Sequence, residues 1–135
     1  MKNWIIDWNN RVAEVLENCA RAWRDGTIGW TQLAMARNGS GDKISIMCPE
    51  GAPDPAITEV CSVGAMVWQI KEANDLFYAA KSALEKKLIK RAEEEGSTYP
   101  FFSLPLWNDE TGRTVEEVID LFEATAKDLR NGAEI

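Results

Sequence analysis

The stretch that decides the fold is Leu106-Trp107-Asn108-Asp109-Glu110-Thr111-Gly112-Arg113-Thr114-Val115-Glu116-Glu117-Val118, near the end of a 135-residue chain. Its middle is rich in turn formers, and Gly112 supplies a position where a positive φ angle costs little. Thr114 lies where an N-cap is expected, and Glu117 follows three residues later, which is the pattern of a capping box. The stretch therefore predicts a turn followed by a helix that begins at Val115.

The same stretch contributes most of the candidate ligand-binding residues, which are Trp107, Asn108, Asp109, Arg113, Trp30 and Arg37. An indole can stack on a base, Asn and Asp can hydrogen-bond the edge of a polar ligand, and Arg can bind a phosphate or carboxylate through two donors. The alternative is structural: Asp109 pairs with Arg113 or with Arg37 and stabilises the loop. Both interpretations are open from the sequence.

Three short motifs are spaced along the chain. The most specific is Trp-Asn-Asp-x-x-Gly-Arg-Thr-x-x-Glu-Val at 107–118, and the others are Trp-Thr-x-x-x-x-Ala-Arg at 30–37 and Cys-x-x-Gly-Ala-Met at 61–66. Together they resemble a family of small uncharacterised bacterial and phage proteins, a domain of unknown function, which has Leu in place of Met66. The resemblance covers Arg11 to Asp128, and the chain departs from the family in Trp4, Trp8 and a longer, Lys-rich third helix. It implies a shared fold and brings no activity with it.

Hydrophobic periodicity predicts a mainly α fold (α+β) in a single domain over residues 1–135. Apolar residues at helical spacing predict four helices, near 3–25, 55–73, 75–95 and 115–131. Alternation on both sides of the turn 38–42 predicts one small β-hairpin over 30–47. Residues 97–105 are expected to form a loop.

Composition excludes several kinds of chemistry. The chain has no histidine, which removes Ser-His-Asp and Cys-His catalysis and the most common zinc ligand. We therefore predict no catalytic residue, no metal site and no cofactor. The odd number of cysteines, Cys19, Cys48 and Cys61, favours free buried thiols over a disulfide. No apolar run approaches the ~18 residues that span a bilayer, so we expect no membrane partner and a cytoplasmic location.

Acidic residues are concentrated at the C-terminal end. Residues 108–135 carry eight acids and three bases in a chain whose net charge is −7. Direct binding of nucleic acid is disfavoured because phosphates need a basic surface, whereas a basic protein partner is compatible. The candidate partner-binding residues are Glu116, Asp120, Glu123 and Asp128.

The leading hypothesis is a non-enzymatic binding or accessory protein that contacts its partner through this acidic helical face, for example as a phage or bacterial inhibitor of a nucleic-acid-handling protein. The alternative is a module that binds a small molecule or nucleotide through the loop at 107–113. A homodimer is also expected. It would form through Trp4, Trp8 and Trp23 on the first helix, because a domain of this size has little core in which to bury six tryptophans.

Overall fold

The computed structural model describes residues 3–46, 54–72, 74–96 and 103–132. Within these ranges there are five helices: α1 (Asn3–Arg24), α2 (Ser62–Ile70), α3 (Asp75–Glu94), α4 (Leu104–Asn108) and α5 (Val115–Arg130). Three short strands, β1 (Gly29–Trp30), β2 (Ala36–Asn38) and β3 (Ile57–Val60), form one sheet. The predicted fold class, mainly α with a small β component, is confirmed.

The helix α5 packs antiparallel against α1. Arg24 forms an ion pair with Glu123 and Glu17 forms one with Arg130, each at 2.6 Å, so the residue numbers run in opposite directions along the two helices. Helix α3 lies on another side of α5, where Lys87 pairs with Asp128 at 2.7 Å. Apolar side chains fill the space between these helices and α2: Val12, Leu16, Met66, Leu84, Val118, Leu121 and Phe122. Each buried side chain of this size stabilises the fold by about 1.5–3 kcal/mol.

The sheet differs from the predicted hairpin over 30–47. The turn after β2 is present, since the Asn38 and Asp42 backbones are joined by a 3.0 Å hydrogen bond, but Lys43 makes only an isolated bridge to Arg37. Strand β2 instead pairs antiparallel with β3, which lies at the centre of the sheet and pairs in parallel with β1. Met47, the predicted end of the hairpin, lies outside the described residues.

Strand β3 occupies residues that we predicted to be helical. Ile57 and Val60 are both buried although they lie three residues apart, a spacing that belongs to one face of a helix. The pairing with β2 is irregular: Asn38 is opposite Ile57, Arg37 is opposite Glu59, and Thr58 is skipped. A bulge of this kind changes the direction of side chains, which allows both apolar residues to face the core.

The helix α2 begins at Ser62 and not near residue 55. Asp54 does accept a hydrogen bond from the Ala56 amide at 2.9 Å, but it forms a turn before β3. The N-cap is Cys61, whose Sγ accepts a hydrogen bond from the Gly64 amide at 3.2 Å. The helix α4 was missed because a helix of five residues is too short to show periodicity. Within the described residues, none of the helices combines the length and the apolar character that crossing a membrane requires.

Candidate functional site

Asn108 is completely buried at the end of α4 and joins three parts of the fold. Its side-chain oxygen accepts hydrogen bonds from Trp30 Nε1 at 2.8 Å, Ser62 Oγ at 2.6 Å and the Ser62 amide at 3.0 Å. Its side-chain amide donates to the Thr31 carbonyl at 3.1 Å and to Asp109 Oδ1 at 3.0 Å. The structure thus brings together three of the predicted site residues, Trp30, Asn108 and Asp109. Both polar side-chain atoms of Asn108 are hydrogen-bonded within the protein.

The segment that follows β1 is held by the same end of α4. Gln32 Nε2 donates to the carbonyls of Asn108 and Glu110, both at 2.9 Å, and Asp109 Oδ1 accepts from the Leu33 amide at 2.9 Å. Leu33 has a φ angle of 64°, a left-handed conformation that is unusual for a residue with a branched side chain. The Trp-Asn-Asp motif therefore fixes the shape of the chain around Leu33.

Arg37 is bound on the other side of this segment. Its Nε donates to Thr31 Oγ1 at 2.8 Å, its Nη2 to the Gln32 carbonyl at 3.0 Å and its Nη1 to the Gly41 carbonyl at 2.9 Å. The pairing of Arg37 with Asp109, one option of the structural alternative, is not formed, because that carboxylate bonds Leu33 and Asn108 instead. Arg37 links the loop after β1 to the turn after β2.

The guanidinium of Arg113 lies over the ring of Trp107, with its carbon 4.0 Å from the centre of the ring. Its Nε donates to the Trp107 carbonyl at 3.0 Å, its Nη1 to Glu117 at 3.0 Å and its Nη2 to Glu110 at 2.6 Å. Only 14% of the Arg113 side chain is exposed. Arg113 is thus paired and largely buried, as the structural alternative expects, but its partners are Glu110 and Glu117 and not Asp109.

The predicted capping box at the start of α5 is confirmed. Thr114 Oγ1 accepts from the Glu117 amide at 3.3 Å, and Glu117 Oε1 accepts from the Thr114 amide at 3.0 Å. The backbone N–H of Thr114 is the main reason that the pKa of Glu117 is lowered from its ordinary value, because it stabilises the charged carboxylate. Glu117 thus supports both the helix start and the position of Arg113.

A cleft of about 540 Å³ lies beside Arg113, between α3, α4 and α5. Its apolar lining consists of Leu88, Ala92 and the ring of Trp107. Its charged lining consists of Arg91, Glu95, Glu110, Arg113, Glu116, Glu117 and Asp120. Five carboxylates thus face two guanidinium groups, which gives the lining a net charge of −3. The cleft joins Trp107 and Arg113 of the predicted ligand site to Glu116 and Asp120 of the predicted partner site.

Both guanidinium groups of the cleft are already paired with carboxylates of its lining. Arg91 pairs with Asp120 at 3.1 Å, and Arg113 is held by the two carboxylates described above. Glu95 and Glu116 form no ion pair with any of the described residues, and both are exposed. The cleft therefore presents two free carboxylates above an apolar floor.

The other two predicted partner-binding residues lie away from this cleft. Glu123 pairs with Arg24 of α1, and Asp128 pairs with Lys87 of α3. The four acids therefore do not form one continuous surface, because the bases of two neighbouring helices neutralise part of it. The α3 side of the cleft was not predicted from the sequence, although Leu88, Ala92 and Glu95 recur at helical spacing.

The cysteines that the structure describes are free and buried. Burial raises the pKa of Cys19 and is also the largest cause of the raised pKa of Cys61, whose Sγ is bound to the Gly64 amide. A buried thiol with a raised pKa is a poor nucleophile. Cys48 lies outside the described residues. Among the residues that are described, no group of three His, Cys, Asp or Glu is arranged to hold a metal ion.

The fold and the cleft define a small, mainly α protein in which the N-terminal part of α5 borders the candidate binding surface. The chain matches the family described as "Family of unknown function (DUF6197)" over residues 7–128, and it belongs to that family. No curated protein and no solved structure matches the chain.

Proposed function

We propose that this protein is a non-enzymatic binding or accessory protein that recognises a basic protein partner through the cleft between α3, α4 and α5. The observation that carries the proposal is the combination of an apolar floor with a net charge of −3 in one cleft. A Lys or Arg side chain of the partner fits this chemistry. Its aliphatic part packs on Leu88, Ala92 and Trp107, and its charge lies near Glu95 and Glu116.

The motif resemblance extends the proposal to the setting of the protein. Because the motifs resemble those of small bacterial and phage proteins, the proposal includes a bacterial or phage origin and a location in the bacterial cytoplasm. Proteins that handle nucleic acids present basic surfaces, and these are the partners that an acidic cleft would inhibit or assist. Glu123 and Asp128 contribute long-range attraction more than direct contact, because each is already paired.

Binding of a nucleotide or other small molecule at Trp107, Asn108, Asp109 and Arg113 is the alternative function. It receives less support from the geometry, because these side chains bond to each other and to neighbouring backbone groups. The carboxylates around Trp107 and Arg113 also repel a phosphate. A small cationic molecule, in contrast, suits the same cleft as a basic side chain.

Charge reversal in the cleft tests the main proposal. The probe is a hexalysine peptide, titrated into the full-length protein by isothermal calorimetry at low ionic strength. We expect Glu116→Lys to weaken binding about tenfold, since it removes one attraction and adds one repulsion of about 1 kcal/mol or less each. The matched control is Glu14→Lys, the same change at another exposed glutamate, on α1 outside the cleft. Equal weakening by both substitutions would show that only net charge matters and would overturn the assignment to the cleft.

A further inference from the structure

A second cleft, of about 670 Å³, lies between α1 and α5. We call it the α1–α5 cleft. Each helix contributes three charged residues at i, i+4 and i+7, which place their side chains on one face. These residues are Glu17, Arg21 and Arg24 of α1 and Glu123, Lys127 and Arg130 of α5. Four cations and two carboxylates give a net charge of +2, in a chain whose net charge is −7.

Ion pairs close both ends of this cleft. At one end Arg24 bonds Glu123 at 2.6 Å. At the other end Arg130 binds both oxygens of Glu17, through Nε at 2.8 Å and Nη2 at 2.6 Å. Each carboxylate thus neutralises one guanidinium. The positive charge that remains is that of Arg21 and Lys127, and the nearby carboxylates of Glu17 and Asp25 offset part of the Arg21 charge.

Those two residues, Arg21 and Lys127, approach the middle of the cleft from opposite helices. The antiparallel register pairs 24 with 123 and 17 with 130, so that position 21 lies opposite 126 and beside 127. Arg21 donates to the neutral Asn18 Oδ1 at 2.9 Å, and Lys127 makes no hydrogen bond or ion pair with a described residue. Two like charges on facing helices repel each other. An anion bound between them removes this repulsion.

We propose that the α1–α5 cleft binds a small phosphate-bearing anion between Arg21 and Lys127. A guanidinium binds phosphate oxygens through two parallel hydrogen bonds, and an ammonium adds a compact positive charge. This site is separate from the acidic cleft and takes a ligand of opposite charge. A failure of this proposal would therefore leave the proposed function untouched, and the reverse also holds.

The flanking carboxylates limit what can bind. The two ion pairs are seven residues apart along each helix, which is about 10 Å at a rise of 1.5 Å per residue. A nucleic-acid strand lying along the cleft would bring its phosphates against Glu17 or Glu123. The lining also has no aromatic side chain on which a base could stack. The ligand is therefore a single phosphate group, free or as the ester of a small molecule.

The first test measures phosphate binding by the full-length protein at constant ionic strength, with sodium chloride as the balancing salt. We expect inorganic phosphate to raise the thermal midpoint and to bind with an affinity that Lys127→Gln and Arg21→Gln each lower at least about tenfold. Lys90→Gln is the matched control, because Lys90 is an exposed lysine of α3 outside this cleft. No stabilisation beyond that given by chloride, or equal losses in Lys127→Gln and Lys90→Gln, would overturn the proposal.

A second readout separates a binding site from a purely structural role. Without phosphate, at low ionic strength, Lys127→Gln should shift the thermal midpoint little, because relief of the repulsion with Arg21 is offset by the loss of a cation in the last turn of α5. Saturating phosphate should raise the midpoint of the native protein more than that of Lys127→Gln. Equal increases in the two proteins would contradict the site. Glycerol phosphate tests whether the ligand is a phosphate ester or inorganic phosphate. If it binds as tightly as inorganic phosphate, the site accepts an ester; if only inorganic phosphate binds, the ligand is the inorganic ion.

Discussion

A single buried amide, that of Asn108, connects α4, β1 and the start of α2. We expect Asn108→Ala to lower the free energy of unfolding by at least about 3 kcal/mol, because it leaves Trp30 Nε1, Ser62 Oγ and the Thr31 carbonyl without a partner at about 1–3 kcal/mol each. Urea denaturation measures the loss. The control is Asn131→Ala, an exposed amide at the end of α5, which should change stability by less than about 0.5 kcal/mol. Similar effects of the two substitutions would contradict the network.

The contacts of Arg113 stabilise the loop before α5 and leave little of its guanidinium accessible to a ligand. We expect Arg113→Ala to cost about 1–3 kcal/mol, from the lost stacking on Trp107 and the lost hydrogen bond to its carbonyl. The cost stays below that of breaking a buried ion pair because Glu110 and Glu117 are about half exposed and regain water. Chemical denaturation provides the measurement. An unchanged midpoint would show that the stacked arrangement is not formed.

Gly64 permits the closest backbone approach to α2. A Cβ atom at this position would lie 2.1 Å from the Met35 carbonyl oxygen, which is far inside van der Waals contact. We therefore expect Gly64→Ala to destabilise the protein by at least about 1–3 kcal/mol, since backbone has to move. Gly39→Ala is the matched control, because the nearest atom to its added Cβ is Thr58 Cγ2 at 3.8 Å. Thermal melts of the two variants should differ clearly, and equal melts would refute the close approach.

At the scale of elements, the start of α5 depends on one hydroxyl. Thr114→Ala removes the acceptor of the Glu117 amide, and we expect a loss of about 0.5–2 kcal/mol, the usual range for an N-cap. Thr114→Ser keeps the hydroxyl and should retain most of the stability. A denaturation midpoint that does not move in Thr114→Ala would mean that the capping box contributes nothing.

The elements that the sequence predicted well are the long ones. The helices α1, α3 and α5 begin and end within about one residue of the predicted bounds, since each has several turns of apolar periodicity and α5 has its cap. The residues of strand β3 were wrongly predicted to be helical, because a bulge lets Ile57 and Val60 both face the core at a spacing typical of a helix. The burial of Asn108 was not predictable either. Its partner Trp30 is 78 residues away in sequence, and only the tertiary structure brings the two together.

At the scale of the whole molecule, the net charge of −7 does not show how charge is distributed between the two clefts. The excess acid of α5 is partly neutralised by Arg24 of α1 and by Lys87 and Arg91 of α3. What remains is an acidic cleft toward the N-terminal half of α5 and a basic cleft toward its C-terminal half. The sequence placed the acids on one helix correctly, but it could not show which of them are paired, because the paired bases lie on other helices.

Of the three tryptophans from which the homodimer was predicted, one is buried in the core. Trp23 is buried against Phe122, with ring centres 5.0 Å apart, so it is unavailable for contact with a second chain. Trp4 remains 65% exposed near the start of α1, and Trp8, one helical turn later on the same side, is only partly buried.

We expect a concentration-dependent dimer in which these two side chains cover each other across a twofold axis. Light scattering should then give a mass that rises toward twice 15.1 kDa at high micromolar concentration, and Trp4→Ser should shift it back to the monomer. Lys90→Ser, a change at an exposed site on α3, should leave the dimer intact. A monomer mass for the unchanged protein at that concentration would rule out the dimer, and Trp4 would then be an isolated exposed residue of the kind that soluble monomers tolerate.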